Sequence, residues 1–318
     1  MKLTMPHLGN TYLAAKALFD GMGIDFIVPE FSNREALEIG SKYAPDEICL
    51  PFKIMFGNII QGYKAGADTL LRRIGKISEA SNKSRNEQIR ALFNAYKVIK
   101  LIDYIEGTAR YLAGYEVEKG QFKKLLQNCK KDAGKCDDPI KMIEVLEKYK
   151  RNLKHIKIDK DKDPIRIAII GEIYTILEPF ANLYIEDKLM DYGISVKKGI
   201  TPSWWIKDAA LVPLKANSIS IRRASKEYLP LYVGGHAREC IGETVLAEKN
   251  NMDGVIQIFP LGCMPEIVAK AILPQISKDK NFPIMSLVVD EMTGEAGYAT
   301  RIEAFIDLLE RRKEKCII

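Results

Sequence analysis

The feature that most constrains this chain is an alternation of strand-like and helix-like segments that occurs twice. In the first stretch MKLTMPH and IDFIVP read as strands. TYLAAKALFDGM lies between them with helical periodicity, placing Leu13, Ala17 and Leu18 on one side and ending near Gly21 and Gly23. REALEIGSKY reads as a short helix, PFKIMFGNIIQGYKAG as a longer one and ADTLL as a strand. The second stretch opens after Pro164 with IRIAIIG, a buried strand. EPFANLYIEDKLMDYG follows as a helix stopping at Gly193, then ISVKKG as a strand and, past a less regular stretch, GETVLAEKNN as a helix. GVIQIF and PIMSLVVD read as further strands, followed respectively by the helices PEIVAKAILPQI and TRIEAFIDLLERRK. Alternation at this spacing predicts β-α-β units and parallel sheets.

Residues from about 76 to 156 carry almost no strand signal. NEQIRALFNAYKVIKLIDYIEGTARYL and DPIKMIEVLEKYKRNLKHI repeat apolar residues at three and four, and Asp138-Pro139 is a fitting helix start. The expected architecture is α/β, with two Rossmann- or flavodoxin-like parallel-sheet domains flanking a helical section. The expected boundaries are 1–75, 76–160 and 161–318. Each α/β region opens strand, loop, helix, glycine, strand, as a duplicated unit would.

Charge and hydropathy exclude some classes of function. The net charge of +6 over 318 residues is mild. No basic stripe is interleaved with aromatics, which argues against a nucleic-acid partner. The basic runs KYKRNLKHIKIDKDKD and ERRKEK read as solvated helix faces and linkers. No run approaches the roughly 18 apolar residues of a membrane span. The start, MKLTMPHLGN, meets a proline and a glycine before any long apolar run, so no secretory leader is expected. A cytoplasmic location follows as the expectation, where the six cysteines would be reduced thiols or metal ligands. Cys129 and Cys136, in the charged segment NCKKDAGKCDD, and Cys316 near the end read as bystanders.

Two other cysteines share an unusual context. Cys49 in DEICLPFK and Cys263 in FPLGCMPE each precede one apolar residue and a proline. Proline is favoured at a helix start, so Pro51 and Pro265 mark helix N-termini and the cysteines sit just before them. That position, at the edge of an open α/β sheet, is where ligands bind. Free N–H groups and the helix dipole there stabilise a thiolate or an anionic iron–sulfur cluster. A single such cysteine reads as a buried small hydrophobe; two in one pattern point to chemistry. A redox disulfide would lack close CxxC spacing, and zinc would need four ligands that do not cluster here. An iron–sulfur site built from distant single cysteines, meeting where two domains face each other, fits better.

Other candidates are weaker. Gly234 and Gly235 would let the backbone approach a ligand or cluster, and His236 could donate a hydrogen bond or proton; a plain turn with a solvent-facing histidine is the competing reading. His7, after the first strand, is placed similarly. GEIY at 171–174 is not a phosphate loop, because one glycine is no GxGxxG and no GxxxxGK[ST] occurs. Asp290, Glu291 and Glu295 of DEMTGEAG could act as general acid/base groups or metal ligands. The alternative is a helix entry with Thr300 as N-cap and Glu303 completing a capping box.

Several segments resemble the CoA-enzyme activase-related proteins, relatives of the D-component of 2-hydroxyacyl-CoA dehydratases. They are MPHLGNTYLAAKAL, SKYAPDEICLPFKIMFGNIIQGYKAGADTLL, IAIIGEIYTILEPFANLYIEDKL, YVGGHARECIGETVL, DGVIQIFPLGCMPEIVAKAILPQIS and VVDEMTGEAGYATRIEAFIDLL. The resemblance implies an oxygen-sensitive electron-transfer or reductase component carrying a cysteine-bound 4Fe–4S or double-cubane cluster. It implies a separate ATP-hydrolysing activator of the actin/sugar-kinase type as electron donor, and assembly with a second dehydratase-like subunit or as a homodimer. Cys49 and Cys263 match ligand cysteines of the family. The family's Gly-Pro-Cys-Arg-Phe-Gly type of segment after the GADT strand has no counterpart here: GADTLL runs into RRIGKISEASNKSRNEQ at Leu71-Arg72-Arg73, with no cysteine between Cys49 and Cys129. Cys240, in GGHARECIGET, is the candidate substitute ligand. The missing segment also admits a cluster-free scaffold or regulatory partner of the activator ATPase. A zinc enzyme is a third, weaker reading.

Overall fold

The computed structural model describes residues 2–70, 78–214 and 217–315. The junction at Leu71-Arg72-Arg73 and Cys316 lie outside the described residues. The chain divides into two compact units, Met1–Ala109 with Gln121–Lys157, and Arg110–Gly120 with Ile158–Ile318. It is α/β, with one parallel sheet in each unit.

In the first unit the strands are β1 (Lys2–Thr4), β2 (Asp25–Phe26) and β3 (Thr69–Leu70), in the order β2-β1-β3. Lys2 is in register with Asp25, and Thr4 with Leu70. The paired segments are shorter than MKLTMPH and IDFIVP suggest. Pro6 and Pro29 lie just beyond β1 and β2, and a proline has no N–H to give to a ladder. Helix α1 (Thr11–Met22) covers the sheet, burying Phe19 and Met22 with Leu3, Ile24 and Ala91. Next come α2 (Arg34–Tyr43) and α3 (Leu50–Lys64). These two helices touch backbone to backbone: a Cβ on Gly57 would lie 1.8 Å from the Ala36 carbonyl oxygen, and one on Gly40 1.8 Å from that of Lys53. Only glycine permits such an approach.

The helical section forms α4 (Arg85–Leu112), α5 (Gln121–Gly134) and α6 (Pro139–Asn152). Asp138 caps α6 as its sequence predicts, accepting from the N–H groups of Ile140 at 2.8 Å and Lys141 at 2.9 Å.

The second unit holds β4 (Arg166–Gly171), β5 (Ser195–Lys198), β6 (Gly254–Pro260) and β7 (Ile284–Val289), all parallel in the order β5-β4-β6-β7. β6 is buried along its whole length, as the centre of a doubly covered sheet must be. Its helices are α7 (Ile173–Leu177), α8 (Ile185–Asp191), α9 (Pro202–Leu211), α10 (Ile219–Ser225), α11 (Ala237–Lys249), α12 (Met264–Asp279) and α13 (Glu295–Lys315).

Two local readings are corrected, and one unread stretch is filled. EPFANLYIEDKLMDYG is not one helix. Leu183 and Tyr184 adopt left-handed backbone at φ 54° and 57°, and Asn182 bridges the Thr175 carbonyl and the Ile185 N–H. The less regular stretch before α11 contains α9 and α10. Helix α13 starts at Glu295, so Thr300 is no N-cap; its hydroxyl donates to the Ala296 carbonyl inside the helix at 3.0 Å. Among the described residues no helix is long and apolar enough to cross a membrane.

Candidate functional site

In a β-α-β unit the connecting helix runs back against its strands, so its N-terminus lies at their carboxyl edge, where open α/β sheets bind ligands. Helix α3 leads into β3, and α12 leads into β7. Cys49 is the N-cap of α3 and Cys263 the N-cap of α12. In both helices an apolar residue, Leu50 or Met264, takes the first position and the proline, Pro51 or Pro265, the second. The prolines therefore stand one place further in than the sequence reading set them, still within the turn whose N–H groups lack helical partners. Cys263 follows β6, as expected. Cys49 follows α2 rather than a strand: a helix–turn–helix delivers it to the edge.

Both cysteines are half-buried, and exposed apolar side chains flank each of them. Ile48, Phe52 and Met55 are the exposed ones near Cys49 along the chain, and Leu261, Met264 and Ile267 those near Cys263. The Cys49 carbonyl accepts from the Phe52 N–H at 3.1 Å, while the buried Lys53 ammonium donates to the Asp46 carbonyl at 3.1 Å and holds the entering turn. The Cys263 N–H donates to Pro260 at 3.2 Å, and the Leu261 N–H to Val289 at 2.9 Å, tying this loop to the end of β7.

His7 is 1% exposed, against Tyr12 and Phe31, with ring centroids 5.5 and 5.0 Å away. Its backbone N–H donates to the Asn58 side-chain oxygen at 3.3 Å, which also accepts from the Ser32 hydroxyl at 3.2 Å. His7 thus rests on α3, the helix that Cys49 caps. The residues after β1 where His7 stands lie at the point where the strand order of the first sheet reverses, since β1 has β2 on one side and β3 on the other.

In the second unit the reversal falls between β4 and β6. Cys263 is at the end of β6, and Gly235, from the loop before α11, packs on the helix that Cys263 caps: a Cβ there would lie 2.5 Å from the Pro265 ring. His236 is the N-cap of α11, half-buried, with its carbonyl accepting from the Cys240 N–H at 2.8 Å. Gly234, Gly235, His236, Cys240 and Cys263 are therefore brought into one region of this unit.

Cys240 is 0% exposed. Burial pushes its thiol well above the ordinary range, and the neighbouring Glu266 carboxyl adds to the effect. Glu266 was not singled out in the sequence, yet it is 1% exposed at the third position of α12. Burial pushes its carboxyl up to about 7; the Gln257 hydrogen bond and the neighbouring Cys240 thiol act the other way, and Glu172 and Glu239 add repulsion. The signals were there: a carboxylate just inside an apolar helix start, and Gln257 as the one polar side chain in the strand GVIQIF.

Two acidic groups at strand ends, Glu172 and Asp290, serve local structure. Glu172 caps α7, accepting from the Tyr174 N–H at 3.0 Å and the Thr175 N–H at 2.8 Å. Asp290 closes a turn, accepting from the Met292 N–H at 2.9 Å and the Thr293 hydroxyl at 2.8 Å. Of the remaining cysteines, Cys129 is buried with its thiol pushed up to about 12 by desolvation, and Cys136 donates to the Asp132 carbonyl at 3.4 Å.

Cys49 and Cys263 suit an iron–sulfur cluster as individual ligands: soft sulfur donors at helix N-termini, beside apolar side chains. Among the described residues no three His, Cys, Asp or Glu side chains group as a preformed metal site. Each unit thus contributes a well-placed thiol rather than a finished cage.

No curated protein matches the chain. The family model described as CoA enzyme activase uncharacterised domain matches residues 7–198, from His7 through Cys49 to the end of β5. The stretch holding Cys240 and Cys263 lies beyond the match. Since the match takes in more than half of the 318 residues, this chain belongs to the CoA enzyme activase uncharacterised domain (DUF2229) family.

Proposed function

We propose that this chain is an iron–sulfur electron-transfer or reductase component resembling 2-hydroxyacyl-CoA dehydratase subunits, reduced by a separate ATP-hydrolysing activator of the actin/sugar-kinase type. The reading rests above all on the duplicated cysteine–apolar–proline helix start, which places Cys49 and Cys263 alike at the carboxyl edges of two parallel sheets. The family description, which names a CoA enzyme activase, supports an activator of that class as partner. The reading places the protein in the cytoplasm, acting as a dehydratase or reductase component with its ATPase partner.

When bound, a 4Fe–4S or double-cubane cluster would supply a low-potential one-electron carrier. Cys49 and Cys263 would hold it as thiolates, with Cys240 as the further candidate. The N-terminal dipoles of α3 and α12 stabilise negative charge on those sulfurs. Exposed apolar side chains near each thiol in the chain would border a bound cluster and limit water there. Gly235 packs against Pro265, in the turn that Cys263 begins, while His236 and His7 are the candidates for donating a hydrogen bond or a proton.

Protein purified without oxygen is expected to contain iron and acid-labile sulfide and to show a sulfur-to-iron charge-transfer band, and Cys49→Ala and Cys263→Ala to lose them. Colourless, iron-free protein that the Cys49→Ala change leaves unaltered would sink the reading. One sequence feature favours a second reading, the cluster-free scaffold or regulatory partner: the run from Cys49 to Cys129 without a cysteine. That protein would be colourless under the same conditions yet still retain the activator ATPase in a pull-down.

A further inference from the structure

The third residue of a helix, when it is glutamate, ordinarily reaches back to the N–H of the N-cap residue. Glu266 occupies that place in α12, but the Cys263 N–H is already taken by the Pro260 carbonyl. The Glu266 side chain turns into the core instead. There the Gln257 amide nitrogen donates both to its carboxylate oxygen, at 2.9 Å, and to its backbone carbonyl, at 3.1 Å. One amide therefore grips both the side chain and the main chain of a single residue in the first turn of α12. Gln257 is itself held from β7, where the Ser286 hydroxyl donates to its oxygen at 2.7 Å. On the far side the carboxyl meets the buried Cys240 thiol of α11. Gln257 and Cys240 are 0% exposed and Glu266 1%.

A buried carboxyl is costly, and an apolar residue of similar size would fill this volume without that cost. What the carboxyl adds is direction. It joins β6, β7 and α11 to the turn that begins with Cys263, while its inward course leaves the Met264 and Glu266 N–H groups without an acceptor among the described residues. Those are the donors that a thiolate or its ligand at Cys263 would use.

We propose that Glu266, locked by Gln257, is a positioning residue for Cys263: it fixes the first turn of α12 so that the thiol is presented at the carboxyl end of β6 with the helix N–H groups directed to it. The proposal rests on the reading of Cys263 as a chemically active thiol, but it concerns the protein without any cluster.

The test is the rate at which iodoacetamide alkylates Cys263 in cluster-free protein, read by peptide mass spectrometry against Cys49 in the same molecules. Glu266→Ala is expected to lower the Cys263-to-Cys49 ratio about fivefold, the size of one helix-terminus interaction. Glu266→Gln keeps an oxygen for the Gln257 amide and is expected to stay within about twofold of the parent. Ser286→Ala, which frees Gln257 without opening the core, is expected to shift the ratio the same way by a smaller amount, and carries the test should Glu266→Ala not fold. The proposal is overturned if Glu266→Ala, or Ser286→Ala in its place, lowers the melting temperature while the ratio stays unchanged or rises. It is overturned equally if Glu266→Gln behaves as Glu266→Ala does. Iron content does not enter the readout, so a failure here is distinct from a failure of the cluster reading.

Discussion

Gly235 lies against Pro265 so closely that a Cβ would come within 2.5 Å of the ring, and its backbone is left-handed at φ 52°. The glycine loop before α11 is thereby fitted to the second residue of the helix that Cys263 caps. Gly234 beside it is also left-handed, at φ 83°, but a Cβ there would meet nothing. Alanine at 234 should cost only the left-handed backbone, about 1 kcal/mol. Alanine at 235 adds a clash with a stiff ring and should cost about 1–3 kcal/mol more. Thermal unfolding of the two variants checks the order; equal losses would mean that the loop does not need its contact with Pro265.

Gly57 and Gly40 let α2 and α3 touch backbone to backbone. At 1.8 Å from a carbonyl oxygen a methyl group cannot be accommodated by a side-chain shift, so the helices must part. Gly57→Ala should destabilise the first unit by about 3 kcal/mol or more. Because α3 carries Cys49 at its start, the same variant should alter Cys49 alkylation while sparing Cys263. A variant with native melting and unchanged Cys49 reactivity would refute the close packing.

Glu266 gives the stability a pH dependence of definite sign. Its carboxyl is raised from 4.5 to about 7 in the folded chain, by burial and by Glu172 and Glu239, against the opposing effect of the Gln257 hydrogen bond and the Cys240 thiol. Below the unfolded value both states hold the proton and nothing is lost. Between about 4.5 and 7 the unfolded chain releases it while the folded chain keeps it, so stability falls as pH rises through that window. The full effect is roughly 3 kcal/mol. Glu266→Gln should remove this slope, gaining on the parent above neutrality and matching it near pH 4.5. Urea unfolding across the window, compared between the two proteins, isolates the contribution.

Glu186 holds two cations in the second unit, the buried Arg110 at 3.2 Å and the part-buried Lys198 at 3.0 Å. Lys198 also donates to the Ile176 carbonyl at 3.3 Å. Glu186→Gln removes the carboxylate that the two cations share, an expected loss of about 3 kcal/mol. Trp204 and Trp205, the only tryptophans, both lie in this unit, so their fluorescence during urea unfolding reports it. A shift in midpoint worth less than about 1 kcal/mol would place the triad among weak surface pairs.

Much of this fold is legible in the sequence because its signals are local. IRIAIIG and GVIQIF are apolar runs that only a doubly covered strand would use, and they became β4 and β6. Asp138-Pro139 and the two cysteine–apolar–proline starts encode their helix beginnings within a few residues. EPFANLYIEDKLMDYG misleads because its apolar spacing is helical while Pro179 and the left-handed pair Leu183 and Tyr184 break it. Thr300 and Glu303 match a capping box by spacing, yet the helix had already begun at Glu295.

The sequence by itself determined the class of fold, the family resemblance and the two cysteines worth watching, since patterning and helix starts depend on neighbours along the chain. Tertiary structure alone decided what surrounds them. Glu266, Gln257, Ser286 and Cys240 come from α12, β6, β7 and α11 and meet only when the parallel sheet aligns its strands and packs its helices. Their partnership is a matter of burial: in a dry interior each polar group must find another, and which one it finds depends on strand order and register rather than on sequence spacing.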